Sequence, residues 1–238
     1  MDRRKHPFSL PAVAAILTAA FLAACSATAD EQELLKKYFD ACRMRDSVTL
    51  ANIATVAFSP SKEGSVQSFS ITSVAPDQRR TLRIKEMNAA YDAAKQADDD
   101  FTKAKKEYQD KNIQAIDRVL KAESANKTLK GADAEVQKAW TKWREDTQVH
   151  AKQVAEARKA AAEERNVPEM SVYDARNPIN ITDYTGDLVT RVVTISARVR
   201  SPENQTADKQ LVVTIQRAEL KSASGEARNG RWLITEIK

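Results

Sequence analysis

The chain has 238 residues, a net charge of +5 and 30% charged residues, but only two cysteines and two histidines. That stock is too small for a disulfide scaffold or for a His-rich or Cys/His zinc site. The length suits one compact domain with an extension, or two small domains, and nothing in the charge calls for a nucleic-acid partner.

Arg3, Arg4 and Lys5 form a short basic flank, and Phe8 to Ala24 then carries no charge. A positive flank holds the N-terminus in the cytoplasm while an apolar stretch enters the translocon. The stretch has 17 residues and contains Pro11, whereas a spanning helix needs about 20 apolar residues. It is predicted to be a removable signal. It ends Leu22-Ala23-Ala24-Cys25, which resembles the lipobox of bacterial lipoproteins. The resemblance implies cleavage between Ala24 and Cys25, a diacylglycerol on the Cys25 thiol and an acyl chain such as palmitate on the new amine. Two or more chains anchor a protein stably, while one does so only marginally. Ser26, where an Asp favours inner-membrane retention in enterobacterial relatives, leans by the same resemblance toward the periplasmic face of the outer membrane. Removing residues 1–24 takes away a net +2 and leaves 214 residues at +3, with His150 as the sole histidine.

Asp30 and Glu33 have capping-box spacing and predict a helix that runs to Met44; Asp46 to Val56 predicts a shorter second one. Leu35, Tyr38, Phe39 and Cys42 fall at i, i+3, i+4 and i+7. Cys42 therefore continues an apolar helix face and is expected to be a buried free thiol. Ser65 to Val74 predicts a strand with Phe69 and Ile71 on one face, ended by Pro76 and Asp77.

From Gln78 to Ala122 there is no Gly or Pro. Met87, Ala94, Phe101, Tyr108 and Ala115 repeat every seven residues, with Ala90, Ala97 and Ala104 in the second heptad position. Asp98, Asp99 and Asp100 would point about 100° apart on such a helix, which describes a solvated face rather than a metal site. Gly131 breaks the pattern and Asp133 is placed to cap a second helix. Its seam is Val136, Trp140, Trp143, Thr147, His150, Val154, Ala157 and Ala161. The two seams predict an antiparallel coiled-coil hairpin centred near Thr128, with Trp140 and Trp143 close to Ile113 and Ile116, and Phe101 close to Val154. Heptad position favours both tryptophans inside the seam; the alternative makes Trp140 and Trp143 an exposed partner contact. His150 reads as a polar seam residue that sets register rather than a catalytic base.

Asn166 to Thr185, with Pro168 and Pro178, is expected to connect the hairpin to a sheet. Val189, Val193, Ile195, Ala197 and Val199 then mark one face of the clearest strand, broken only by Arg191. After a polar loop at 201–208, Leu211, Val213 and Ile215 switch phase to Ala218 and Leu220, which predicts a bulge near Gln216. Arg231 to Ile237 is the last strand. The five glycines, Gly64, Gly131, Gly186, Gly225 and Gly230, all fall at boundaries between these elements.

The order of elements predicts an α+β fold. A curved antiparallel sheet of about four strands packs on the N-terminal helices, and the hairpin is inserted after the first strand. The expected units are a signal at 1–24, a membrane-proximal α+β domain at 25–76 and 167–238, and the hairpin at 77–166. Leu34 to Val56 followed at the end by Gly230-Arg231-Trp232-Leu233-Ile234 resembles small domains of the nuclear transport factor 2-like class, in which two helices open the chain and a Gly-x-Trp strand closes it. That resemblance implies a sheet concavity able to take a small apolar ligand, and in some members isomerase or dehydratase chemistry. The residues themselves supply no Gly-rich phosphate loop, no G-x-S-x-G and no grouped acid-base pair. The expected role is a non-enzymatic envelope lipoprotein without a cofactor, a protein-interaction or scaffold module held to the membrane through Cys25 and touching another envelope protein through the hairpin.

Overall fold

The computed structural model describes residues 28–238; Ala24, Cys25 and the signal lie outside them. The fold is α+β, a curled antiparallel half-barrel of a sheet with N-terminal helices and a long helical pair. The elements are α1 (Ala29–Met44), α2 (Ser47–Ile53), β1 (Ser65–Val74), β2 (Gln78–Thr81), α3 (Ile84–Ser124), α4 (Ala132–Val172), a 3-10 turn (Ile181–Asp183), β3 (Tyr184–Arg200), β4 (Thr206–Ser222), β5 (Ala227–Asn229) and β6 (Leu233–Ile237). Six strands make the sheet, but β1 and β2 both pair with β3, and β5 and β6 both pair with β4. The sheet is therefore four strands wide, built round a β3–β4 hairpin paired in register from Tyr184–Ser222 to Arg200–Thr206.

That hairpin explains the phase switch and corrects the expected bulge. Its pairing is unbroken at Gln216; the irregularity lies instead where β6 meets β4, between Thr214 and Ile215. Successive side chains of a strand point to opposite faces, so a switch of buried phase means that the covered face changes. Val193, Ile195, Val213 and Ile215 belong to one core, filled from α1 and α2 by Leu35, Tyr38, Phe39, Cys42 and Ile53. Leu188, Ala218 and Leu220 belong to a second core, packed with Leu82, Ile84, Ile181 and the α4 residues Val167 and Val172. One long hairpin thus carries helices on opposite faces of its two ends.

α1 starts at Ala29 rather than after an Asp30 cap. Asp30 and Glu31 fall in its first turn, where negative charge complements the helix dipole. It ends in a Schellman turn: Arg45 is left-handed at φ 56°, its N–H meets the Cys42 carbonyl, and Asp46 N–H meets that of Ala41. Asp46 then caps α2 through the Thr49 N–H at 3.0 Å, and α2 stops at Ile53, short of Val56. The Tyr38 hydroxyl donates to the Val56 carbonyl at 3.1 Å and accepts from Phe58 N–H at 2.7 Å, which pins the following loop onto the core.

Cys42 is buried and unpaired, and burial pushes its thiol pKa up. The thiolate is the reactive form. Alkylation in native buffer should be slower by orders of magnitude than in denaturant; rapid native labelling would place the thiol outside the core.

Two boundaries differ from the sequence reading. Gln78–Thr81 pairs with Leu188-Val189 and their neighbours as β2, so the first long helix begins at Ile84. The second continues through Pro168 to Val172 instead of ending at Asn166. A helix-interior proline forfeits one backbone hydrogen bond, but here the last turn is held by the sheet. Ser171 is buried; its hydroxyl donates to the Arg231 carbonyl at 2.8 Å and accepts from Ala218 N–H at 3.0 Å. Gly230 passes so close that a Cβ there would overlap the Ser171 side chain. Tertiary packing overrides the local helix breaker.

Candidate functional site

α3 and α4, each 41 residues, form the antiparallel arm. At 1.5 Å per residue each reaches about 60 Å. Near the sheet they are held by the second core; farther out they pack on each other. α3 ends in a second Schellman turn, with Asn126 left-handed at φ 52°, Asn126 N–H on the Glu123 carbonyl and Lys127 N–H on that of Ala122. Gly131 stands at the start of α4 with φ 61°. Asp133 does not cap it and instead forms a forked ion pair with Arg118, 2.7 Å at the shortest.

The register is displaced from the centre of the turn. Phe101–His150, Tyr108–Trp143 and Arg118–Asp133 share one midpoint between residues 125 and 126, not one near Thr128. Trp143 therefore lies against Phe101 and Tyr108, at ring separations of 5.2 and 5.7 Å. Phe101 meets Trp143 and His150, and Ile113 is exposed. The first seam position of α3 is as expected, but its second is one residue further on: Tyr91, Asp98 and Lys105 are partly covered, while Ala90, Ala97 and Ala104 are exposed. Alanine has little surface to bury, whereas a longer stem can lie across the seam. Lys105 Nζ reaches the Thr147 hydroxyl at 2.7 Å and stands 5.6 Å over the Trp140 ring.

Of the candidate contact residues, Trp140 is buried and Trp143 half-buried. Both act first as seam packing. His150 stacks on Phe101 with ring centres 4.3 Å apart and planes 20° from parallel. Beside these rings α3 kinks at Asn112, whose side-chain amide donates to the Tyr108 carbonyl at 2.9 Å. Asp99 pairs with Lys95 and Asp100 accepts from Gln96, on a largely exposed face. Among the described residues no group of three or more His, Cys, Asp or Glu side chains is placed to hold a metal, and no helix is long and apolar enough to cross a membrane.

A second cluster lies where α1 meets the sheet. Arg191, the one break in the apolar face of β3, forks onto Asp77 at 2.6 and 3.0 Å and also pairs with Glu31, which is 1% exposed. The hydrogen bonds from Arg191 hold the Asp77 carboxyl below its usual range. Arg191 and Arg217 both lie on the Trp232 ring, at 4.7 and 4.6 Å from its centre. Glu219 receives Arg79 and Arg217, and the bond from Arg79 keeps its carboxyl low as well. Val189, between Arg79 and Arg217 in register, is fully buried on the same face. The paired charges balance, so this cluster fastens the first turn of α1, six positions after Cys25, to the sheet. Sequence reading flagged Arg191 but not Glu31; a lone cation in an apolar strand face is itself the signal for a buried counter-charge. No family model matches the chain, and neither the curated proteins nor the solved structures yield a significant match.

Proposed function

We propose that the chain is a lipid-anchored envelope protein of the bacterial outer membrane, with its sheet domain near the lipid and its arm as the surface that meets another envelope protein. The observation that carries this reading is the division of labour within the fold. The helix-covered face of the sheet is filled by Tyr38, Leu35 and Phe39. The arm runs about 60 Å on two helices that mainly satisfy each other. A rigid reach of that size serves contact at a distance, and the seam histidine is spent on stacking with Phe101. Cys25 supplies the membrane attachment, and only Ser26 to Thr28 separate it from α1. The reading assigns no catalytic residue and no cofactor.

The test is an arm-shortened variant in which a Gly-Ser turn replaces residues 102–149 and joins the helices where Phe101 and His150 meet. In-cell crosslinking should capture a partner with the natural chain and lose it with the short arm. An unchanged partner set, together with a small apolar ligand copurifying with the shortened protein, would replace this reading with ligand binding in the sheet domain.

A further inference from the structure

At the base of the arm an open cleft of about 690 Å3 lies between the first turns of α3, the later turns of α4 and the 3-10 turn. Its size is within the range of small-ligand sites. Three cations line it, Lys85, Arg158 and Arg165. Lys85 and Arg158 differ from their neighbours on the arm. Lys95, Lys152 and Lys159 each have an acidic residue four positions on and pair with it. Arg80 pairs with Glu164 at 2.8 Å. Lys85 and Arg158 have Ala89 and Ala162 at the i+4 position, and among the described residues neither reaches a carboxylate within salt-bridge distance. Arg165 does pair with Glu169, at 3.7 Å, but at that distance without a hydrogen bond, so its buried Nε keeps an unused donor. The alanines thus do two things: they open the space, with Ala161 buried beside it, and they withhold the counter-charge.

Asp92 is the one acidic residue of the lining, so the lining side chains sum to +2, with Glu169 outside it at 3.7 Å from Arg165. Tyr91, Asn88 and Thr182 add a phenol, an amide and a hydroxyl. A carboxylate would leave one charge over. A phosphate monoester carries close to two negative charges at neutral pH and offers three acceptor oxygens. Guanidinium forks match those oxygens, and an ammonium adds a compact charge. We propose that this cleft binds a small phosphate-bearing ligand, with Arg158, Arg165 and Lys85 on the phosphate and Tyr91, Asn88 and Thr182 on its remainder. Both arm helices and the 3-10 turn line the cleft, so occupation would also fix the arm where it leaves the sheet. The assignment does not depend on the anchor or on the partner proposed above.

Calorimetric titration of the whole protein with inorganic phosphate and with glycerol 3-phosphate, at ionic strength matched by sodium chloride, should show saturable binding. Lys85 and Arg158 are exposed, so Lys85→Gln and Arg158→Gln should leave the helical content unchanged. Each should weaken the phosphate probe by about tenfold or more, the loss of one charge-assisted hydrogen bond. Co-sedimentation with phosphatidylglycerol against phosphatidylcholine vesicles separates the sources. Preference for the anionic vesicles that Arg158→Gln removes, without binding of the soluble probes, assigns the phosphate to a lipid headgroup; binding of glycerol 3-phosphate assigns it to a free ester. The proposal is overturned if no phosphate probe or anionic vesicle binds better than its control, or if both variants bind as the natural protein does.

Discussion

Replacing Arg191 with alanine is expected to cost about 3–5 kcal/mol, the usual consequence of breaking a buried pair and leaving one charge uncompensated. Glu31 is 1% exposed and would lose its counter-charge, Asp77 would lose both of its bonds from the guanidinium, and Trp232 would lose one of its two stacked cations. Arg191→Lys keeps the charge but not the fork and should fall between the two. The pH dependence follows from Asp77. Its folded pKa is depressed, so its contribution is fully present above the unfolded value of about 3.9 and is lost as pH falls through the lower, folded one. Urea unfolding should therefore show a large gap between natural protein and variant at neutral pH, and a smaller one in strong acid. A loss below about 1 kcal/mol, typical of a surface pair, would mean that the cluster does not clamp α1 to the sheet.

The second large effect belongs to the arm. Trp140→Ala removes a buried indole from a two-helix seam that has little else to fill the space, and should cost about 3–5 kcal/mol locally. Trp140→Phe should cost clearly less. The indole Nε1 is buried without a hydrogen-bond partner, and a phenyl ring removes that unpaired donor while keeping most of the apolar contact. Hydrogen exchange distinguishes this from global destabilisation: amides of α3 and α4 in the outer half of the arm should exchange faster in Trp140→Ala, and those of β3 and β4 should not. Equal acceleration in the sheet would show that arm and sheet unfold as one unit.

The strongly patterned elements were legible in the sequence. β1 has the expected bounds, the apolar face of β3 is the expected one, Cys42 is in the core, and every expected seam residue of α4 is at least partly covered. What pattern alone missed was decided by tertiary contact. Gln78–Thr81 has no apolar alternation and is a strand because β3 offers it an edge. Pro168 stays helical because Ser171 is fastened to Ala218 and Arg231. The change of phase at Gln216 looked like a bulge because a single sequence does not reveal that the two ends of one strand are covered from opposite sides. The hairpin register follows the ring packing of Phe101, Tyr108, Trp143 and His150 and the Arg118–Asp133 pair rather than the centre of the turn, which a count of residues from Gly131 does not reveal. Lys85 and Arg158 of the basal cleft were passed over for a related reason: that they lack partners shows only when the i+4 positions are compared along both helices.

The claim on which the functional account rests is attachment through Cys25, and labelled palmitate tests it most directly. Fed to a bacterial host that makes the chain, the label should enter the natural protein, which should fractionate with the outer membrane, and Cys25→Ser should abolish incorporation. Equal labelling of Cys25→Ser, or an unlabelled natural protein free in the periplasm, would contradict the account and leave the arm without a surface to project from.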